Sequence, residues 1–176
     1  MPRLSVLSPL VYVDSDVYLD LLMRNETPHA DNGEPRWRIA KTLFDAVNAD
    51  QVRLASSALV EAEVCCNGEA RRDSERIRDL LRGWFTAPGT AWTDIDRYLA
   101  RQAVDVMNKH RGQALGPKKI GSADALHLAA AVRLGCDFFM THDTGYPHGQ
   151  SVHTVQVLRP QVVWPETLWG AGEATG

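Results

Sequence analysis

Short apolar segments alternate along the chain with segments that have the periodicity of amphipathic helices. The apolar segments are LVYV at 10–13, VRLAS at 52–56, CDFFMT at 136–141 and TVQVL at 154–158. Each has the length of a strand that is buried inside a sheet. Helical patterns such as RWRIAKTLFDAVNA and DIDRYLARQAVDVMNKHR lie between them. This alternation predicts a layered α/β fold with a mostly parallel sheet.

Three helices have predicted boundaries or buried faces that a structure can check. Ser57 is expected to cap the helix ALVEAEVCCN, and Ser122 is expected to cap the helix ADALHLAAAV. The charged helix at 71–85 is expected to turn Leu80 and Leu81, with Ile77 and Trp84, toward the core.

The length and composition indicate one globular domain. The chain has 176 residues, of which 44% are hydrophobic and 23% charged. Its three cysteines form neither a disulfide framework nor a C-x-x-C zinc motif, so we expect a cytoplasmic protein in a reducing environment. No apolar stretch approaches the length of a transmembrane helix, and we expect no membrane partner.

Acidic side chains follow the predicted strands at the point where each strand ends. Asp14 follows LVYV, Asp143 follows CDFFMTH, and Asp124 stands on the otherwise apolar helix ADALHLAAAV. The helix after VRLAS carries Glu61 and Glu63, which lie about 200° apart around its axis, so one cation cannot bind both. Because the carboxyl ends of parallel strands meet at one edge, these acids are expected to converge there.

Several carboxylates in one pocket repel one another unless a cation joins them. Oxygen ligands suit Mg²⁺ or Mn²⁺, and either cation can activate a water and neutralise charge on a phosphoryl oxygen. The acids therefore predict metal-dependent chemistry on a phosphate or phosphodiester.

Three blocks of the sequence resemble those of PIN-domain ribonucleases, many of which are VapC-type toxins. The blocks are VYVDSDVYLDLL, SSALVEAEV and SADALHLAAAVRLGCDFFMTHD, in the order that the family has. The resemblance implies a three-layer sandwich in a single PIN-like domain over residues 1–165, with a tail at 166–176. It also implies an endoribonuclease that uses Mg²⁺ or Mn²⁺, is neutralised by a protein antitoxin and forms a homodimer.

The same resemblance assigns roles to individual residues. It implies that the metal-binding and catalytic acids are Asp14, Glu63, Asp124 and Asp143. The alignment of Ser57 with the serine of the second block favours Glu63 over Glu61. Hydroxyls and an acid that we expect to support these carboxylates are Ser15, Asp16, Ser122 and Thr141. Asp16 and His142 stand where the family commonly has asparagine.

An RNA substrate requires a local basic surface, because the net charge is −3. The loop before Asp124 offers Arg111, Lys118 and Lys119, which we predict to contact RNA phosphates. The arginines at 71–82 are interleaved with acids and are expected to form a solvated helix face. His127 is expected to be a packed, hydrogen-bonded histidine, because Mg²⁺ favours oxygen ligands.

Two alternatives remain open at the level of sequence. The segment DSDV fits the opening of a haloacid-dehalogenase phosphatase, with Asp14 as nucleophile, but later motifs of that family are missing. A PIN-like module that binds RNA or protein without catalysis would also carry the three blocks.

Overall fold

The computed structural model describes residues 8–68, 70–109 and 120–161. Within them the chain forms one six-stranded sheet in the order β3-β2-β1-β4-β6-β5. The strands are β1 Leu10–Val13, β2 Arg53–Ser57, β3 Ala91–Thr93, β4 Phe138–Met140, β5 Ser151–Val152 and β6 Val155–Leu158. All neighbours are parallel except β5 and β6, so the prediction of a mostly parallel sheet is confirmed.

Six α-helices lie in the described ranges and connect these strands. They are α1 Ser15–Leu22, α2 Arg36–Asn48, α3 Ala58–Cys66, α4 Ser74–Phe85, α5 Arg97–Lys109 and α6 Ser122–Arg133, and a short 3₁₀ turn covers Ala70–Asp73. Helix α1 packs against α2 and α3, α3 also contacts α4, and α5 packs along α6. Because crossovers between parallel strands are right-handed, this strand order puts α1–α4 on one face of the sheet and α5 with α6 on the other, which makes three layers.

The strand order reverses between β1 and β4. The chain moves from β1 to β2 and β3 on one side, and then returns across the sheet to β4 on the other side of β1. At such a reversal the helices leave a crevice outside the carboxyl ends of the strands. The topology therefore places a cleft beyond Val13 and Met140, which end the two central strands.

The core is continuous around β1, whose four residues are all buried. Tyr12 stacks on Phe139 of β4 with ring centroids 5.5 Å apart. On α6, Ala129, Ala130 and Ala131 are buried, and their small side chains allow the helix to lie close to its neighbours.

The structure differs from the sequence prediction at two helix caps and at one residue that was expected in the core. Ser57 makes no capping hydrogen bond, because its hydroxyl instead pairs with the phenol of Tyr12 at 2.7 Å. Helix α6 is capped at Gly121, whose N–H donates to the carboxylate of Asp124 at 2.7 Å, and Ser122 is the first helical residue. Leu80 is 39% exposed because it lies on the outer face of α4.

No helix in the described ranges is long and apolar enough to cross a membrane. The domain boundary that we predicted at residue 165, and the tail after it, lie outside the described residues.

Candidate active site

A cleft of about 590 Å³ opens at the carboxyl ends of β1 and β4. Both acids that follow these strands line it, and so do the predicted acids from α3 and α6. Its charged and ionisable side chains are Asp14, Asp16, Arg36, Glu63, Asp124, His127, His142 and Asp143. The convergence that the sequence predicted is therefore present in the geometry.

Asp14 joins the end of β1 to the start of α1. Its backbone N–H donates to the carbonyl of Met140 at 3.0 Å, which ties it to β4. Its Oδ1 accepts the N–H of Ser15 at 2.7 Å and caps α1. The side chain is almost fully buried, and this burial raises the pKa of Asp14 although His127 lies nearby.

Glu63 reaches the cleft from the second turn of α3. Its Oε2 accepts a hydrogen bond from the hydroxyl of Ser15 at 2.6 Å and another from Nε2 of His127 at 2.9 Å. Partial burial favours the neutral acid, but these two donors outweigh it and lower the pKa of Glu63. Glu61 does not line the cleft. Of the two glutamates, only Glu63, which the alignment favoured, lies with the other acids.

His127 connects the acids to the core. Its Nε2 also lies 3.5 Å from Oδ1 of Asp14, and its Nδ1 lies 2.9 Å from the hydroxyl of Tyr12. The expectation of a packed, hydrogen-bonded histidine is confirmed. Burial alone would lower the pKa of His127, but the hydrogen bond to Glu63 and the charge of Asp14 raise it.

Asp124 and Asp143 complete the acidic lining, and each holds a turn of backbone. Asp124 Oδ2 accepts the N–H of Gly121, which fixes the carboxylate at the mouth of α6. Asp143 Oδ1 accepts the N–H of Gly145 at 2.8 Å, in the loop that follows β4. Both carboxylates are therefore fixed at the cleft by local hydrogen bonds.

Asp16 also lines the cleft, and its side chain is half-buried. Its Oδ2 accepts the N–H of His142 at 2.8 Å and the hydroxyl of Thr141 at 3.2 Å. Its Oδ1 is buried and has no hydrogen-bond partner among the described residues. Burial, together with repulsion from Asp14, raises the pKa of Asp16 to about 8.

The residues that we expected to support the acids fall into two groups. Ser15, Asp16 and Thr141 lie in the hydrogen-bond network of the cleft. Ser122 is exposed and lines a separate apolar groove between α5 and α6, because Asp124 takes over the capping of the helix. The predicted RNA contacts Arg111, Lys118 and Lys119 lie outside the described residues.

Sequence reasoning missed Arg36 and the surroundings of His142. Arg36 lines the cleft from the start of α2, although no block of the sequence marked it. His142 Nε2 lies 3.2 Å from Oδ2 of the buried Asp20, and its ring contacts that of His29 with centroids 5.2 Å apart. His29 comes from the loop 25–35, so this loop packs against a residue that lines the cleft.

The donor atoms suit a small divalent cation. A carboxylate oxygen of Asp14, one of Glu63 and a ring nitrogen of His127 all lie within 4.8 Å of one another, and Asp124 and Asp143 line the same cleft. Carboxylate oxygens dominate this set, as hard cations require. Oδ1 of Asp16, beside these acids, is buried without a hydrogen-bond partner among the described residues, so the local hydrogen bonds leave part of this acidic site unsatisfied.

The family model of the PIN domain matches residues 11–149. No curated relative matches the chain by sequence. Among solved structures, FitAcB from Neisseria gonorrhoeae has 20% identity and a TM-score of 0.56, with 85% of this chain and 97% of that chain covered. A toxin–antitoxin complex from Klebsiella pneumoniae has 19% identity and a TM-score of 0.56, with 87% and 99% covered.

A third similar structure is VapC20 of Mycobacterium tuberculosis, described as a toxin that cleaves the sarcin-ricin loop. It has 16% identity and a TM-score of 0.50, with 73% of this chain and 86% of that chain covered. At such identities the likeness is one of fold.

Replacing Asp16 with asparagine is expected to stabilise the protein at neutral pH in the absence of metal. The folded protein keeps the Asp16 proton up to about pH 8, whereas an unfolded carboxyl group releases it near pH 4. The contribution of Asp16 to the stability of the wild type therefore falls as the pH rises through this window, and Asp16→Asn removes that loss. Urea unfolding in EDTA from pH 4 to pH 8 measures it.

The stability gain of Asp16→Asn over the wild type should be small at pH 4 and should grow toward pH 8. Asparagine can still accept the two hydrogen bonds of Oδ2, so the comparison isolates the charge. A gain that does not vary with pH would contradict the assignment of a raised pKa to Asp16.

Proposed function

Because this chain belongs to the PIN domain family, we propose that it is a metal-dependent endoribonuclease that hydrolyses RNA phosphodiester bonds. The observation that carries the proposal is the convergence of Asp14, Glu63, Asp124 and Asp143 in one cleft. These acids come from four separate segments of the chain, and a purely structural role for each would not require them to meet.

The same four acids would hold Mg²⁺ or Mn²⁺. The cation, when bound, neutralises charge on a phosphoryl oxygen and lowers the pKa of a water. Asp14 and Glu63 are well placed for this role, since their oxygens lie close together and one of them is kept ionised. The high pKa of Asp14 would fall when a cation replaces the proton.

The protein's own contribution is to fix the carboxylates before the substrate arrives. A carboxylate can only accept, so His127 holds a proton on Nε2 and donates it in the hydrogen bond to Glu63. The hydroxyl of Ser15 donates to the same oxygen. These two donors orient Glu63, and such supporting contacts typically change metal affinity or activity by about 10- to 100-fold when they are removed.

We further propose that the protein is the toxin of a toxin–antitoxin pair. Support comes from the fold shared with FitAcB and with the Klebsiella toxin–antitoxin complex.

Expression of the chain alone should arrest growth, and co-expression of the adjacent reading frame should restore it. Growth arrest that persists with Asp124→Asn would show that toxicity does not depend on the acids.

The phosphatase alternative is superseded by the family match, since Asp14 lies in a PIN domain. A PIN-like module without catalysis differs from the proposed enzyme in one measurable outcome, which is RNA cleavage.

Glu63→Gln and Asp124→Asn should each reduce RNA cleavage by about 100-fold, the scale expected when one group that stabilises transition-state charge is lost. Glu61→Gln is the matched control, because Glu61 lies on the same helix outside the cleft. Purified protein is incubated with total cellular RNA in Mn²⁺ or EDTA, and the new RNA ends are sequenced. A larger loss from Glu61→Gln than from Glu63→Gln would overturn the register of α3 in the site.

Saturating Mn²⁺ should raise the melting temperature of the wild type by about 5–10 °C, because the cation binds only the folded state. The rise should be much smaller in Asp14→Asn, Glu63→Gln and Asp124→Asn, and should persist in Glu61→Gln. Thermal unfolding in EDTA and in Mn²⁺ measures it. An equal response in all four variants would rule out a cation site at these acids.

A further inference from the structure

One arginine lies in the acidic cleft and has no acidic partner among the residues that the structure describes. Arg36 is the first residue of α2 and lines the cleft together with the predicted metal acids. Its Nε is buried and has no hydrogen-bond partner in the described parts of the chain. None of the ion pairs found among the described residues includes Arg36, whereas Arg133 and Arg159 each pair with an aspartate.

The acids of the cleft are already occupied by other donors. Ser15 and His127 donate to Glu63, and the N–H of Gly121 donates to Asp124. A guanidinium held beside acids, yet not paired with any of them, has donors left for an anion that comes from outside the protein. Burying a donor without a partner costs free energy, so the fold retains this feature against its own stability.

The loop 25–35 holds the start of α2 at the cleft. The backbone N–H of Arg36 donates to the carbonyl of Thr27 at 3.0 Å, and that of Trp37 donates to the carbonyl of Asn25 at 3.2 Å. The indole of Trp37 donates to the carboxylate of Glu26 at 3.0 Å. These contacts fix the backbone from which the Arg36 side chain extends.

The loop itself is anchored at a distant point of the chain. His29 Nδ1 accepts the N–H of Asp31 at 3.1 Å, which leaves the proton on Nε2 to donate to the carbonyl of Pro160 at 2.9 Å. Pro28 and Pro35 form an antiparallel bridge across the loop. The loop therefore ties the start of α2, and with it the backbone of Arg36, to the segment that follows β6.

We propose that Arg36 binds a phosphodiester of the RNA strand, next to the one held at the carboxylates. This inference rests on the proposed nuclease function. A guanidinium offers two parallel N–H donors, which match the two non-bridging oxygens of a phosphodiester. A strand with one phosphate at Asp14 and Asp124 would carry its next phosphate close by, and Arg36 lines the same cleft. Arg36 then offsets the repulsion between that phosphate and the acids.

The test compares Arg36→Gln and Arg36→Lys with the matched control Arg38→Gln. Arg38 lies two residues further along α2, is exposed, and has its guanidinium over the ring of Trp37 at 5.4 Å. Single-turnover cleavage of a 5′-fluorescein-labelled 12-nucleotide single-stranded RNA in Mn²⁺ is measured across RNA and KCl concentrations. Fluorescence anisotropy of the same RNA in EDTA reports binding apart from cleavage, and thermal unfolding reports stability.

Arg36→Gln should raise the RNA concentration for half-maximal rate by about tenfold, the scale of one hydrogen-bonded charge contact. The maximal rate should stay within about twofold, because the contact is the same in the ground and transition states. The slope of log affinity against log salt should become shallower by about 0.7. Arg36→Lys should keep the slope and lose part of the affinity, and Arg38→Gln should match the wild type.

The melting temperature separates a binding role from a structural one. Arg36→Gln should melt no lower than Arg38→Gln, since it removes a buried donor that lacks a partner. A lower melting temperature with an unchanged salt slope would assign Arg36 to the fold and overturn the proposal. The proposal would also be overturned if Arg36→Gln had the same RNA affinity and salt slope as Arg38→Gln. That result is expected if Arg36 instead binds a carboxylate of a protein partner.

The proposed function and the role of Arg36 fail in different ways. Wild-type protein that binds the RNA through Arg36 but does not cut it would overturn the nuclease function and support the contact. Wild-type protein that cuts RNA with no dependence on Arg36 would overturn the contact alone. Wild-type protein that neither binds nor cuts would overturn both.

Discussion

The imidazole of His127 joins the parts of the fold that build the cleft. One side of the ring donates to Glu63 on α3, and the other meets the hydroxyl of Tyr12 on β1, which pairs in turn with Ser57 at the end of β2. Asp14 lies 3.5 Å from the same ring nitrogen. Because both ring nitrogens of His127 and the hydroxyls of Tyr12 and Ser57 have partners, two helices and two strands can meet at one polar point inside an apolar core.

This arrangement explains how the protein tolerates so many acids at one place. The charge of Glu63 is stabilised by direct donors, whereas burial makes Asp14 and Asp16 more easily protonated. Protons and hydrogen bonds thus offset part of the repulsion without a cation. A cation that displaces those protons would then bind more weakly at low pH than at neutral pH, because each proton competes for the same oxygens.

Much of the fold and of the cleft could be predicted because local patterns and topology determine them. An apolar strand followed by Asp14, and an alanine-rich helix with one acid, bring their carboxylates to the cleft once the sheet is parallel. The predicted cap at Ser122 was wrong, since Asp124 can cap the same helix from within. Sequence also could not separate Glu61 from Glu63 by chemistry alone. The helical angle showed that only one could face the cleft, and the family alignment chose between them.

Arg36 could not be found in this way, because nothing local distinguishes it from Arg38. The difference between the two arises from contacts across the chain. The loop 25–35 is tied to Pro160, and it fixes the first turn of α2 so that one arginine enters the cleft and the other faces solvent. Residues that bind metal must keep their chemistry, so motifs reveal them. A residue that binds the backbone of a substrate needs only charge and position, and position is a property of the folded chain.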